Sequence, residues 1–249
     1  MSGHNKWSSI KHRKGRQDVK RSKMFTKVIK ELTIAARFGG GDPGGNPRLR
    51  RAIDEARSIN MPADNIDRAI KKGTGELEGV SYEELTYEGV GAGGTLVLVE
   101  VLTDNRNRTS AEVRKVFERN GGQMGQVGSA GWAFDQKGVV RVARDAATEE
   151  QLFEIAVGAG AEDLRGEDEQ WVVTTDRTDL DVVRDAIDAA GIPVSGSKLE
   201  QIAKLDKELG GEEGKTNVGL LEALDDHDDV QNVYSDFTPS EELIAELDA

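Results

Sequence analysis

Apolar residues recur at steps of three and four through the first third of the chain, the spacing of amphipathic helices. One run ends before Gly39, a second begins at Asn46-Pro47, and a third begins near Pro62 with Gly73 as its expected cap. A proline directly after an N-cap suits the first helical position. The inward positions are Phe25, Val28, Ile29, Leu32, Ala36, Leu49, Ala52, Ile53, Ala56, Ile66, Ala69 and Ile70. Three short amphipathic helices predict a small helical bundle.

The pattern changes after residue 79, where two short strands are expected at 84–87 and 95–101. The glycines between them, Gly89-x-Gly91-x-x-Gly94, match a dinucleotide fingerprint only as a string. That fingerprint needs a helix after it, and here a strand follows, so we interpret the glycines as a hairpin turn. Thr109-Ser-Ala-Glu112 has the form of a capping box and predicts that a helix opens there.

The next segment alternates strand and helix in the order βαββαβ, which is typical of a ferredoxin-like fold. The two predicted helices begin alike, with Thr148-x-x-Gln151 and Thr178-x-x-Asp181. The predicted elements are 139–142, 148–158, 162–164, 171–174, 178–190 and 194–202.

The remaining chain predicts a helix at 218–224, a strand at 230–234 and a last helix capped by Thr238-Pro-Ser-Glu241. We expect this strand and helix to complete the sheet begun at 84–101, with the βαββαβ segment inserted between. The fold class is therefore α+β with three domains. The expected bounds are 1–78 for a basic arm and helical bundle, 79–136 plus 204–249 for an α+β domain, and 137–203 for the ferredoxin-like insertion.

Composition excludes several kinds of chemistry. The chain has no cysteine and three histidines, so thiolate zinc sites, iron–sulfur clusters and cysteine nucleophiles are ruled out. Asp225-Asp-His-Asp-Asp229 lacks the glycine and glutamate of a calcium loop and reads as a solvated acidic turn. We therefore expect no enzyme activity, cofactor or metal. The longest apolar stretch, 95–102, is too short to span a bilayer and no apolar signal segment is visible, so we expect a cytoplasmic protein without a membrane partner.

The net charge of −13 conceals a strong asymmetry. Residues 1–72 hold 18 lysines and arginines against 7 acidic residues, whereas residues 73–249 hold 15 against 39. The two parts carry +11 and −24, and residues 1–37 alone carry 11 cations against 2 acidic residues. Such asymmetry indicates a basic arm for nucleic acid attached to an acidic body. A solvated tail that only aids solubility is the alternative.

The arm, residues 4–23, has too few large apolar residues to fold alone, so we expect it to become ordered on binding. If it becomes helical, Lys20, Lys23, Lys27 and Lys30 share one face and can lie along phosphates. Trp7 could stack on a base or anchor the arm on the bundle. The predicted nucleic-acid-binding residues of the arm are Lys6, Trp7, Lys11, His12, Arg13, Lys14, Arg16, Lys20, Arg21, Lys23 and Lys27.

Two further segments are candidates. Arg106 and Arg108 precede the predicted helix start, where free amides favour an anion; alternatively they pair with nearby acidic residues. The loop Gly121–Gly131 is rich in glycine and holds one methionine, predicted to be exposed, which suits either a finger that enters a crevice or a plain connector.

Several strings closely resemble the YebC family across essentially the whole chain. They are GHNKWSSIKHRK from Gly3, FTK from Phe25, GGGDP from Gly39, NPRLR from Asn46, YEGVG from Tyr87, DNRNRT from Asp104, and NGG at 120–122 onward to Gly128-Ser129. The chain departs from the family pattern at 123–126 and 130–132, where a leucine and a valine are more usual.

The resemblance implies a cytoplasmic, non-enzymatic protein with a helical bundle and two α+β domains, one of them ferredoxin-like. Bacterial members are described as transcriptional regulators that bind promoter DNA, and mitochondrial relatives as translational activators of cytochrome oxidase. Bacterial members are also linked to the ribosome, where they ease synthesis stalled at proline runs. The expected partner is therefore nucleic acid, either ribosomal or transfer RNA together with the ribosome, or promoter DNA. A protein-interaction module that uses the basic arm is the remaining alternative.

Overall fold

The computed structural model describes residues 17–167 and 169–248, with side chains from 22 to 167 and 169 to 247. The chain forms two compact units. Unit 1 takes in the chain up to Lys30, then Glu78–Asp135 and the chain from Ile202 onward. Unit 2 takes in Glu31–Leu77 and Gln136–Gln201. The fold is α+β, as predicted, with N-terminal helices followed by two sheet-containing domains.

Three helices open the described chain: α1 (Gln17–Gly39), α2 (Pro47–Ser58) and α3 (Ala63–Thr74). Asn46 caps α2, since its side-chain oxygen accepts a hydrogen bond from the Leu49 amide at 3.1 Å. The predicted cap at Gly73 is wrong. Gly75 ends α3 in the left-handed conformation, whereas Gly73 lies inside the helix with its α-carbon facing the α1 backbone.

Unit 1 is built on a four-stranded sheet in the order β3-β1-β2-β9. The strands are β1 (Glu83–Val90), β2 (Leu96–Thr103), β3 (Gln123–Met124) and β9 (Val230–Ser235). β1 and β2 pair antiparallel with Val90 opposite Leu96, so the glycine-rich segment is the predicted hairpin turn. β9 pairs with β2, which confirms that the C-terminal part of the chain completes this sheet.

Helices α4 (Arg106–Arg119) and α7 (Gly211–Asp225) pack on the unit 1 core, as does Leu243 of the last helix. The predicted capping box at Thr109 is wrong, because the N-cap of α4 is Asn105, four residues before Thr109. α7 also begins earlier than predicted, so the polar segment at 211–215 is helical. A parallel pair, β8 (Lys207–Leu209) with β10 (Phe237–Pro239), was not predicted. The last helix, α8 (Glu241–Asp248), follows Ser240, whose hydroxyl accepts from the Leu243 amide.

The inserted segment folds as β4 (Phe134–Ala143), α5 (Glu149–Gly158), β5 (Ala161–Glu167), β6 (Gln170–Asp176), α6 (Leu180–Ala189) and β7 (Val194–Ala203). The sheet order β5-β6-β4-β7 is that of the predicted ferredoxin-like fold.

The two helix starts of the insertion differ although their sequences look alike. Thr148 and Gln151 form a reciprocal capping box, whereas Thr178 hydrogen-bonds Asp176 and makes no cap for α6. Within unit 2, Arg51 of α2 binds both carboxylate oxygens of Asp181 in α6 at 3.0 and 2.9 Å.

Candidate nucleic-acid interface

Seven predicted contact residues lie outside the described residues. They are Lys6, Trp7, Lys11, His12, Arg13, Lys14 and Arg16. Lys20 and Arg21 lie within α1, whose described part begins at Gln17. The helix therefore includes the last residues of the predicted arm, and the prediction for the rest of the arm lies outside the described residues.

Three lysines of α1, which we call the lysine face, lie on one side of the helix: Lys23, Lys27 and Lys30. Their spacing of four and then three residues places them on successive turns. All three ammonium groups point at the C-terminal end of α7 and the segment that follows it. The predicted shared face is confirmed for these three residues, and an acidic segment of the same unit covers it.

That segment, Asp225–Asp229, is called here the acidic turn. Lys23 donates to the Asp226 carbonyl at 3.0 Å and to its carboxylate at 2.5 Å. Lys27 donates to the Asp225 carbonyl at 3.0 Å and to its carboxylate at 3.1 Å. The carbonyls at a helix C-terminus carry partial negative charge, so this end of α7 attracts cations through its backbone as well as its carboxylates.

Asp229 is the buried centre of the contact. Its carboxylate accepts hydrogen bonds from Lys30 and the Thr109 hydroxyl, each at 2.7 Å. Arg108 donates to it at 2.7 Å and Thr103 at 3.3 Å. Burial would raise the pKa of this carboxyl, but the hydrogen bonds from Lys30, Thr109 and Arg108 outweigh burial and hold the pKa well below its ordinary value. The interpretation of this segment as a solvated acidic turn is therefore wrong for Asp229.

Lys30 is equally enclosed. Besides Asp229 it donates to the carbonyls of Asp228 at 2.9 Å and Leu102 at 3.3 Å. Its ammonium lies 5.7 Å from the centre of the Tyr82 ring, within the range of a cation–π contact. The side chains of Lys30 and Asp229 are 8% and 7% exposed, so this ion pair belongs to the interior of unit 1.

Arg106 and Arg108 were expected to precede the helix, but both lie in the first turn of α4, and their surroundings differ. Arg108 binds Asp104 at 2.9 Å in addition to Asp229, so the alternative of pairing with nearby acidic residues describes it in this structure. The Arg106 side chain is exposed and makes no ion pair among the described residues. Their assignment as nucleic-acid contacts stays a prediction.

Sequence reasoning missed a second group of cations further along α4. Arg114, Lys115 and Arg119 are exposed and have no ion-pair partner within the described part of the chain. The sequence could have indicated these cations, since residues 106–119 hold five lysines and arginines against two glutamates.

The glycine-rich loop after α4 is held by a buried carboxylate. Glu88 accepts hydrogen bonds from the amides of Gly128 at 2.8 Å, Ala130 at 2.5 Å and Gly131 at 2.8 Å. Burial would raise the pKa of Glu88, but these three amides together lower it. The prediction of an exposed methionine is wrong, because Met124 lies in β3 and packs on the core. The exposed apolar residue of this loop is Val127.

Neither a metal cluster nor a membrane span is found in the described chain. No group of three histidine, aspartate or glutamate side chains there has an arrangement that could hold a metal ion. None of the described helices is both long and apolar enough to cross a membrane.

Two family models match the sequence. One is described as the N-terminal domain of the TACO1/YebC protein and covers residues 5–76. The other is described as the second and third domain of TACO1/YebC and covers residues 82–237.

Similar proteins match over nearly the full chain. A probable transcriptional regulatory protein of Geobacter sulfurreducens is 53% identical over 247 residues, 99% of this chain and 100% of the relative. Proteins of the same description from Desulfatibacillum aliphaticivorans and Chlorobaculum tepidum are 54% and 51% identical, covering 99% and 100% of this chain and 100% and 99% of the relatives. The crystal structure of a conserved hypothetical protein from Aquifex aeolicus superposes with a TM-score of 0.89 at 41% identity, covering 96% of this chain and 98% of that one.

Proposed function

The chain belongs to the TACO1/YebC family, and from this premise we propose that it is a nucleic-acid-binding regulator of gene expression. In finer terms, we propose a non-enzymatic, cytoplasmic translation factor that associates with the ribosome, binds ribosomal or transfer RNA and eases stalled synthesis. The bacterial relatives are named as regulators, which supports the coarser statement.

The observation that carries the proposal is the division of charge along the chain. The first 37 residues hold 11 lysines and arginines and 2 acidic residues, whereas residues 73–249 carry a net charge of −24. A polyanion is attracted to one end of such a protein and repelled by the rest. Binding should therefore be oriented through the arm, with Arg106, Arg114, Lys115 and Arg119 of α4 as a second set of contacts.

Two features favour RNA on the ribosome over duplex DNA. A strongly acidic body suits a setting in which basic proteins lie beside RNA, because those proteins attract the surfaces that RNA repels. The short helices α2 and α3 also mix exposed acidic residues with their arginines and lysines, including Asp54, Glu55 and Asp64. They offer no uniformly basic helix for a major groove.

The description of the bacterial relatives as probable transcriptional regulatory proteins favours a second candidate, a DNA-binding transcriptional regulator.

The domain bounds 1–78, 79–136 plus 204–249 and 137–203 are part of the proposal as well. The first boundary falls between the two family-model matches, at 5–76 and 82–237, which supports it.

The deciding experiment is crosslinking in growing cells, purification of the tagged protein, and separate sequencing of the attached DNA and RNA. The proposal predicts ribosomal or transfer RNA crosslinked at defined positions. Discrete promoter DNA with little RNA would replace it with the transcriptional candidate. If neither DNA nor RNA is recovered, the remaining explanation is that the arm binds an acidic protein. That interaction should persist after nuclease treatment.

A binding assay tests the arm directly. Changing Lys11, Arg13, Lys14, Lys20 and Arg21 to glutamate should abolish RNA binding and leave thermal unfolding nearly unchanged, since exposed charges contribute little to stability. If about six to eight phosphates are contacted, log Kd should vary with log salt with a slope of magnitude about 4 to 7. As a matched pair, Lys11→Glu with Lys14→Glu should weaken binding far more than Arg177→Glu with Lys198→Glu. Equal effects would contradict the assignment of the arm.

A further inference from the structure

We propose that the acidic turn is an intramolecular competitor of nucleic acid: it occupies the lysine face in the free protein, and its outer part must leave before a phosphate backbone can bind there. This inference rests on the proposed function. The partner is defined by its chemistry, a chain of phosphodiesters, and the binding surface is the outer part of the lysine face, formed by Lys23 and Lys27.

The acidic turn satisfies the lysines in the way that a polyanion would. Each of the three ammonium groups donates to one carboxylate oxygen and at least one backbone carbonyl. Ammonium groups bind anionic oxygens as compact point charges without strict geometry, so phosphate oxygens can replace carboxylate oxygens at the same positions. A nucleic acid that lies along α1 therefore has to compete for these donors.

Burial decides which part of the acidic turn can leave. The exposed fractions of the two side chains rise from 8% and 7% for Lys30–Asp229 to 20% and 24% for Lys27–Asp225. They reach 32% and 74% for Lys23–Asp226, the pair closest to the basic arm. Exposed ion pairs are weak, whereas breaking a buried pair leaves an uncompensated charge. The inner pair is therefore the fixed end of the contact, and the two outer pairs are the displaceable part.

The location of the outer pairs links them to the arm. Lys23 and Lys27 continue the basic sequence that begins at Lys6 and includes Lys20 and Arg21. A polyanion bound to the arm extends onto this face of α1 only if Asp225 and Asp226 give up their lysines. The acidic turn then limits affinity and rejects ligands that do not engage the arm first.

The test is a comparison of two variants of the full-length protein with equal change of charge. Asp225→Asn with Asp226→Asn neutralises the outer part of the acidic turn. Glu149→Gln with Glu150→Gln neutralises two exposed carboxylates in the first turn of α5 and serves as the control. The probe is fluorescein-labelled polyuridylate RNA, and the readout is Kd from fluorescence anisotropy over a range of salt concentrations.

The acidic-turn variant should bind more tightly than the control by about 2- to 30-fold, because the two outer ion pairs no longer compete with RNA for Lys23 and Lys27. The slope of log Kd against log salt should also be steeper for the acidic-turn variant, by about 1 to 1.5. In the wild type, the freed carboxylates take up cations and so offset the cations that Lys23 and Lys27 release from the RNA phosphates. In the variant this offset is absent. A control that binds as tightly as the variant, or a variant that binds less tightly than the wild type, would overturn the inference.

The two proposals fail in different ways. If reversal of the arm charges abolishes RNA binding but the acidic-turn variant matches the control, only the competition is refuted. If the wild type, the control and the acidic-turn variant all fail to bind RNA, both proposals are refuted. Thermal unfolding of the variants, expected to be nearly unchanged, separates these outcomes from misfolding.

Discussion

Asp229 offers a sharp test of how unit 1 is stabilised. Replacing it with alanine removes the carboxylate that accepts from Lys30, Arg108 and Thr109. Lys30, whose side chain is 8% exposed in the wild type, then keeps two carbonyl acceptors. Removing one partner of a buried ion pair costs about 3–5 kcal/mol. The remaining carbonyls favour the lower end of that range, so we expect Asp229→Ala to lower the free energy of unfolding by about 3 kcal/mol.

Native-state hydrogen exchange is the suitable assay, because it reports the opening of unit 1 separately from unit 2. The amides of β2 are the probes, since β2 lies between β1 and β9 in the sheet. Asp226→Asn is the control: its side chain is 74% exposed, so its effect should stay below about 1 kcal/mol. A loss below about 1 kcal/mol for Asp229→Ala would refute the reasoning that this ion pair is an interior one.

Acidification should destabilise unit 1, as the Asp229→Ala substitution does. Because the pKa of Asp229 in the folded protein lies below its unfolded value of about 3.9, its ionised form is stabilised by folding. The contribution is fully present above about pH 5 and is lost as the pH falls below about 4. In Asp229→Asn this part of the acid dependence of β2 exchange should disappear.

Three further substitutions test other contacts. Glu88→Ala strands the buried Ala130 amide and the partly buried amides of Gly128 and Gly131, and should speed their exchange by an amount equivalent to about 2 kcal/mol, whereas the exposed Glu84→Ala should not, as amide exchange by NMR would show. Gly73→Ala places a methyl against the Thr33 carbonyl of α1 and should destabilise unit 2 by about 1–3 kcal/mol in urea unfolding. Gly219→Ala in α7, where nothing lies within 4 Å, should be neutral or stabilising. Burial raises the pKa of Asp236, so folding disfavours its ionised form above about pH 4. Asp236→Asn should therefore leave the exchange rates of the β2 amides at pH 7 unchanged or lower them, whereas replacing Asp229 should raise them.

Sequence reasoning succeeded where the determining contacts are local. The capping box joins Thr148 and Gln151, three positions apart, and was visible as a string. The βαββαβ order follows from periodicity and turns, which also act over short distances. The cap at Asn46 could be identified for the same reason.

Prediction failed where a distant partner decided between local options. Asn105 and Thr109 could each begin α4; the buried carboxylate of Asp229 binds the Thr109 hydroxyl, and Asn105 makes the cap. The acidic turn looked solvated because its cations lie about 200 residues earlier, as with Lys30 and Asp229, which are 199 positions apart. No local pattern carries that information. The one available hint was that α7 has no basic residue of its own in its last turn.

The position of β9 beside β2 also sets the order in which the chain can fold during its synthesis. β2 ends at Thr103 and its neighbour β9 begins at Val230, so the sheet of unit 1 stays incomplete until β9 has emerged from the ribosome. The ferredoxin-like sheet has all its strands by Ala203 and can form earlier. Long-range strand pairing is intrinsically slow because loop closure must come first. The lysines of α1 are therefore synthesised long before the acidic turn. Until the C-terminal strands are synthesised, the positive charge of the nascent protein has no acidic turn to pair with.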